Sequence, residues 1–117
     1  MILKIEQKTI APDIDVFAMS GRLTMGSDSQ TVEWNLAKLL QENHKKVIFD
    51  LSNVSFLDSS GIGILVMCHA KLKKAGGELR IAGAQGMVRQ IIEMTNVNKL
   101  VELYPTSSEA SRNFTVV

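Results

Sequence analysis

The sequence predicts one mixed α/β domain with helices packed mainly on one face of the sheet. Three observations carry that expectation. The N-terminal twenty residues show period-two character. Two short strand-like runs, Val47-Ile48-Phe49-Asp50-Leu51 and Glu78-Leu79-Arg80-Ile81-Ala82, alternate with stretches of helical spacing. The 117 residues match the size of one domain and suffice to bury a core without covalent staples.

Residues 2–19 read as an antiparallel hairpin. Ile14, Phe17 and Met19 mark its second arm, Pro12-Asp13 its turn, and Gly21 its end. Residues 27–43 follow as a helix, with Val32, Leu36, Leu39 and Leu40 on one stripe, Ser27, Asp28 or Ser29 as its cap, and Trp34 off the stripe. Val47–Leu51 is then a strand buried on both faces. Residues 52–58 read as a loop. A second helix runs from about Ser60 to Lys74 on Ile64, Leu65, Cys68 and Leu72, with lysines in its last turn and Gly76-Gly77 as its stop. After the Glu78–Ala82 strand, a third helix is expected over 84–95, ended by Asn96 in a left-handed conformation. Leu100–Tyr104 reads as a last strand. Thr106 or Ser107 caps a terminal helix reaching about Phe114. The order β β α β α β α β α implies parallel neighbours joined by crossovers, plus one antiparallel arm.

Composition excludes several classes. Lys and Arg number 13 and Asp and Glu 12, so no dense basic face is available for nucleic acid. The single cysteine, Cys68, forms no internal disulfide and no thiolate metal site; it belongs to the apolar stripe of the second helix. Charges interrupt the N-terminal apolar residues, and the longest apolar run is Ile64–Cys68, so neither a signal peptide nor a membrane span is expected and the chain is placed in the cytoplasm.

The distinctive segment is Leu57-Asp58-Ser59-Ser60-Gly61-Ile62-Gly63, between a buried strand and a helix. Sites collect at the carboxyl ends of strands in open α/β sheets. There the hydroxyls of Ser59 and Ser60 stand beside the N–H groups and positive dipole end of a helix, and Gly61 and Gly63 permit close approach of another molecule. A purely structural account also fits: Asp-Ser-Ser as a helix cap, and the glycines as aids to helix–sheet packing.

This segment, with Gly21-Arg22-Leu23, the run Val47 to Gly63, Gly76-Gly77-Glu78-Leu79 and the stretch Thr95 to Ala110, resembles the anti-sigma factor antagonist family, also called the STAS domain. The likeness spans about residues 2–115 of a single domain over 1–117. It implies a STAS-type fold and a phosphorylation-switched binding module with no catalytic residues, cofactor or metal of its own. The first serine of the Asp-Ser-Ser-Gly element, Ser59, is the implied phosphorylation site. The implied partners are an anti-sigma factor that is also an ATPase-type serine kinase, and a PP2C-like phosphatase; neither nucleic acid nor a membrane is contacted directly. The unmodified form would bind the kinase and release the sigma factor. Asp58, Ser59, Ser60, Gly61, Ile62 and Gly63 would form the partner-binding surface, joined by Arg22, Thr24 and the stretch to Gly26. Thr24 stands where many relatives carry an acidic residue. A monomer or weak dimer is expected. The family also holds unswitched members, acting as scaffolds in signalling complexes or as subunits of transport machines.

Rival readings are weaker. Gly-x-Ser-x-Gly is absent, and His69 lies about 15 Å from Ser59 along one helix. His44, at the end of the first helix, reads as a partner of that helix's dipole. Gly61-Ile62-Gly63 follows a strand, as in nucleotide-binding turns, but Val66 stands where the third glycine belongs and no Gly-Lys-Ser/Thr follows. Met25 and Met87, in polar surroundings near helix starts, are candidate partner contacts. Arg89 reads as a solvated charge.

Overall fold

A computed structural model describes residues 3–11, 13–24 and 27–114, without the side chains of 11 and 27–29. Pro12 in the hairpin turn and Met25 and Gly26 as partner contacts lie outside the described residues, and so do the side chains of Ser27, Asp28 and Ser29, the expected caps of the first helix.

Five strands form one sheet in sequence order. β1 (Lys4–Ala11) pairs antiparallel with β2 (Ile14–Leu23), as the hairpin pattern predicts. β3 (Lys46–Leu57), β4 (Glu78–Ala82) and β5 (Leu103–Tyr104) follow in parallel. The helices are α1 (Ser27–Gln41), α2 (Ser59–Lys74), α3 (Gly86–Met94) and the short α4 (Ser107–Ser111). Among the described residues no helix is long and apolar enough to cross a membrane.

Strand alternation divides β3 between two cores. Val47, Phe49 and Leu51 join Val32 and Leu36 of α1, Leu65, Cys68 and Leu72 of α2, and Val88 and Ile92 of α3. Phe49 stacks on its register partner Phe17, with ring centroids 5.5 Å apart. Ile48 turns the other way, to Ile14, Val16, Ala82, Ala110 and Phe114. Three helices therefore cover one face, and α4 alone lies on the other. Cys68 is fully buried, and burial pushes its thiol up to about 12, so it is a core residue. Trp34, off the stripe as expected, is 83% exposed.

Several boundaries differ from expectation. The segment 52–58 is not a loop, because β3 continues to Leu57 and β2 continues past Gly21 to Leu23. Two register shifts, between Ala18 and Ser20 and between Gly21 and Arg22, break the period-two pattern that would have announced this extension. Gly21 sits inside the irregularity with φ 104°, a conformation glycine adopts freely, and its carbonyl accepts from the Ser55 hydroxyl at 3.2 Å. The last strand is only Leu103–Tyr104: Asn96 does take the left-handed conformation, but Val97–Lys99 then forms a 3₁₀ turn. The terminal helix is capped by the Thr106 hydroxyl and stops at Ser111.

His44, just past the end of α1, also has a partner that helix spacing did not announce. Its Nδ1 lies 2.7 Å from Oδ2 of Asp15, whose side chain is 1% exposed, and the Thr9 hydroxyl donates to the other carboxylate oxygen at 2.9 Å. The hydrogen bond to Asp15, then its charge, raises the His44 pKa above the ordinary imidazole value. A raised folded-state pKa contributes stability that is complete below the unfolded value of about 6.5 and disappears as pH rises through the folded one. The thermal midpoint should therefore fall on going from pH 6 to pH 8. His44→Gln should flatten that slope in calorimetry, and an unchanged slope would assign it elsewhere.

Candidate functional site

The carboxyl ends of β2 and β3 finish side by side, with Leu23 opposite Leu57, and a single residue, Asp58, separates β3 from α2. Asp58 is the N-cap in extended conformation. Its Oδ1 accepts from the Gly61 N–H at 3.0 Å, and its carbonyl accepts from the Ile62 N–H at 2.9 Å. Helix geometry gives the N–H groups of Ser59 and Ser60 no intrahelical acceptor, so both remain at the helix mouth. Ser59, the first helical residue, is exposed, and Ser60 and Ile62 are half-buried. The helix starts at Ser59 itself, one residue earlier than the spacing suggests. The Asp-Ser-Ser cap and the exposed serine are thus both present, divided between two residues: Asp58 caps and Ser59 is free to face outward.

The two glycines separate in the same way. A Cβ on Gly61 would lie 2.3 Å from the Leu23 carbonyl oxygen and 3.0 Å from the Leu57 Cβ. The first turn of α2 therefore rests directly on the ends of both strands, and only glycine fits. A Cβ on Gly63 would meet nothing within 4 Å, and the residue is exposed. No packing inside this chain requires that glycine. Gly61→Ala should lower stability by about 2 kcal/mol, because a backbone carbonyl cannot step aside cheaply. Gly63→Ala should raise stability by roughly 0.5–1 kcal/mol, the usual gain at an exposed helix position. Denaturant unfolding of the two variants checks the opposite signs.

Arg22 reaches the same end of the sheet by a different side. Leu23 and Leu57 point into the helix-covered core, so Arg22 and Phe56 point away from it. The Arg22 guanidinium lies 4.5 Å from the centroid of the Phe56 ring. Thr24 is half-buried just past β2. The structure thus gathers Asp58 to Gly63 with the Leu23 backbone, and places the Arg22 side chain on the opposite sheet face from α2. Sequence spacing gave no hint of the Arg22–Phe56 stack, which depends on the register of two strands far apart in the chain.

α2 is unbroken from Ser59 to Lys74, so His69 stands about 15 Å along it from Ser59, too far for a hydrogen-bonded nucleophile–base pair. Met87 is exposed at the start of α3, and Arg89 donates to Glu93 at 3.3 Å across one helical turn. Among the described residues no group of three or more His, Cys, Asp and Glu is placed to hold a metal ion.

Comparison with known proteins agrees with this architecture. A protein of Thermotoga maritima, provisionally named an anti-sigma factor antagonist, is 24% identical over 101 residues, covering 86% of this chain and 89% of the relative. Its crystal structure superposes with a TM-score of 0.85 at 22% identity, over 94% of this chain and 93% of that one. The anti-sigma F factor antagonist of Paenibacillus polymyxa is 23% identical over 103 residues, 87% of each chain. The anti-sigma factor antagonist SpoIIAA, a Bacillus cell fate determinant, has been solved unphosphorylated and phosphorylated. The two forms match with TM-scores of 0.72 and 0.73 at 15% and 16% identity, over 91% and 92% of this chain and 92% and 96% of theirs. The STAS domain model matches residues 7–110, from within β1 to within α4. This chain belongs to the STAS domain family, the family of the anti-sigma factor antagonists.

Proposed function

We propose that this protein is an anti-sigma factor antagonist whose docking surface is the Asp58–Gly63 segment and whose switch is phosphorylation of Ser59. In the unmodified state it binds an anti-sigma factor, an ATPase-type serine kinase, and so frees a sigma factor. The kinase modifies Ser59, and a PP2C-like phosphatase restores it. The domain acts by binding and holds no cofactor, and its place of action is the cytoplasm.

The observation that supports this most is the contrast between the two glycines. Gly61 is required by the fold, whereas Gly63 leaves an open, side-chain-free spot one helical turn from an exposed serine. A surface bare for no internal reason suits the close approach of another molecule. The solved SpoIIAA pair, in both phosphorylation states, lends the reading a precedent within the fold.

The physics of the switch lies at the interface. Phosphate adds about 1.5–2 negative charges and three acceptor oxygens. The free domain tolerates it, because the N–H groups of Ser59 and Ser60 and the dipole of a sixteen-residue helix face it. A partner packed against the small serine must instead bury a doubly charged group with no counter-charge arranged for it. The test is incubation with the cognate kinase and ATP, followed by peptide mass mapping. Phosphate on Ser59, absent from Ser59→Ala, is the expected result. Phosphate solely on another residue, or none while the kinase modifies a control substrate, contradicts the reading.

A further inference from the structure

The outer edge of β1 is a long sheet edge left uncovered. β1 ends the strand order and pairs only with β2, and residues 6–10 are exposed one after another. Residues exposed on both sheet faces in succession mean that, among the described residues, no helix or loop lies over this edge. Its outward N–H and C=O groups are a template for another strand. The opposite edge, β5, offers two residues.

The charges along this edge are self-complementary. Lys4, Glu6 and Lys8 lie on one face of the strand, and Ile5, Gln7 and Thr9 on the other. An antiparallel copy of β1, related by a two-fold at Gln7, places Glu6 opposite Lys8 of the second copy and Lys8 opposite Glu6 of the second copy. Ile5 faces Thr9 at both ends. A two-fold at Glu6 would instead place Lys4 opposite Lys8 and Glu6 opposite itself, and like charges directly opposite are destabilising. We propose that β1 pairs in this way with β1 of a second copy of the chain, about a two-fold at Gln7, joining two five-stranded sheets into one.

Size and orientation follow from the pairing. Five residues a side bury far less than the roughly 1,600 Å² of a standard interface, so the dimer is weak and concentration-dependent. Because β1 meets its copy antiparallel, and β2 and β3 run together against β1, the carboxyl ends of the two β3 strands point in opposite directions. The two Ser59 sites then lie at opposite ends of the joined sheet, and each stays open.

Sedimentation velocity from about 10 μM to about 1 mM tests the pairing, with Glu6→Lys, Lys8→Glu and an equimolar mixture of the two variants. The wild type should pass from monomer to dimer. Each single variant sets two like-charge pairs across the strands and should dimerise at least about tenfold more weakly, with unchanged circular dichroism and thermal midpoint. The mixture restores opposite charges at both positions and should associate again. A two-fold at Ile5 would pair Glu6 with Lys4 and leave Lys8 out, so a Lys8→Glu variant that dimerises like the wild type overturns the proposal. A wild type that stays monomeric overturns it too, leaving the edge to an unlike strand. A mixture that fails to associate, or single variants unaffected, likewise excludes it.

Discussion

Ser59→Asp should bind the anti-sigma partner at least about tenfold more weakly than the wild type, and true phosphate about a hundredfold, the equivalent of roughly 3 kcal/mol. Ser59→Ala should bind as the wild type does and resist modification. The free domain and the complex should respond differently to the same charge. At the first position of α2 a carboxylate is favourable to the helix, so Ser59→Asp should unfold at the same denaturant concentration or slightly higher. In the proposed complex the same charge should lose water and gain no planned partner. Calorimetric titration beside denaturant unfolding reads both quantities. A switch that worked by refolding would move them together; a switch at the interface moves binding alone. Gly63→Ala provides the matching case without charge: more stable in isolation, yet weaker in docking, because a methyl group fills the open spot.

Arg80→Ala should cost about 3 kcal/mol and lower the thermal midpoint by roughly 10 °C or more. Arg80 is 7% exposed, yet no acidic residue is buried with it. Its Nη1 donates to the carbonyls of Ala110 and Arg112, both at 2.9 Å, and its Nη2 to that of Asn113 at 3.2 Å. Its Nε donates to Glu78 at 2.8 Å. The guanidinium carbon also lies 4.0 Å from the Phe114 ring centroid and 5.3 Å from that of Tyr104. One side chain thus fastens α4 and the residues after it over a small second core of Ile14, Val16, Ile48 and Ala82. That core offers α4 little apolar area, so directed hydrogen bonds carry the attachment. Arg80→Lys should recover only part of the loss, since an ammonium lacks the planar fork that reaches three carbonyls at once. Limited proteolysis should release the C-terminal segment from Arg80→Ala before the rest unfolds. A midpoint within two degrees of wild type would contradict this account.

Where the physics is local, the sequence is readable. The stripes of α1 and α2, the stop at Gly76-Gly77, the turn at Asn96 and the Thr106 cap each follow from spacing within a few residues. The parallel order of β2, β3, β4 and β5 follows from their alternation with helices. The failures come from long-range pairing. Ser52, Asn53 and Ser55 look like loop residues and become strand only because β2 extends beside them through two irregularities. His44 meets Asp15 across 29 residues of sequence, and Arg80 meets Arg112 across 32. At the site, the Asp-Ser-Ser-Gly element is plain in the sequence, but the division of labour within it is not. That Asp58 caps while Ser59 faces out, and that Gly61 is packed while Gly63 is bare, depends on where the ends of β2 and β3 stand against α2.

One phosphate on Ser59 should abolish docking without disturbing the fold. The most direct measurement prepares the protein in two forms, unmodified and homogeneously phosphorylated at Ser59, and titrates each against the cognate anti-sigma kinase in the presence of ADP. Equal thermal midpoints and an affinity about a hundredfold lower for the phosphorylated form are the predicted result. Equal affinities of the two forms would contradict the account.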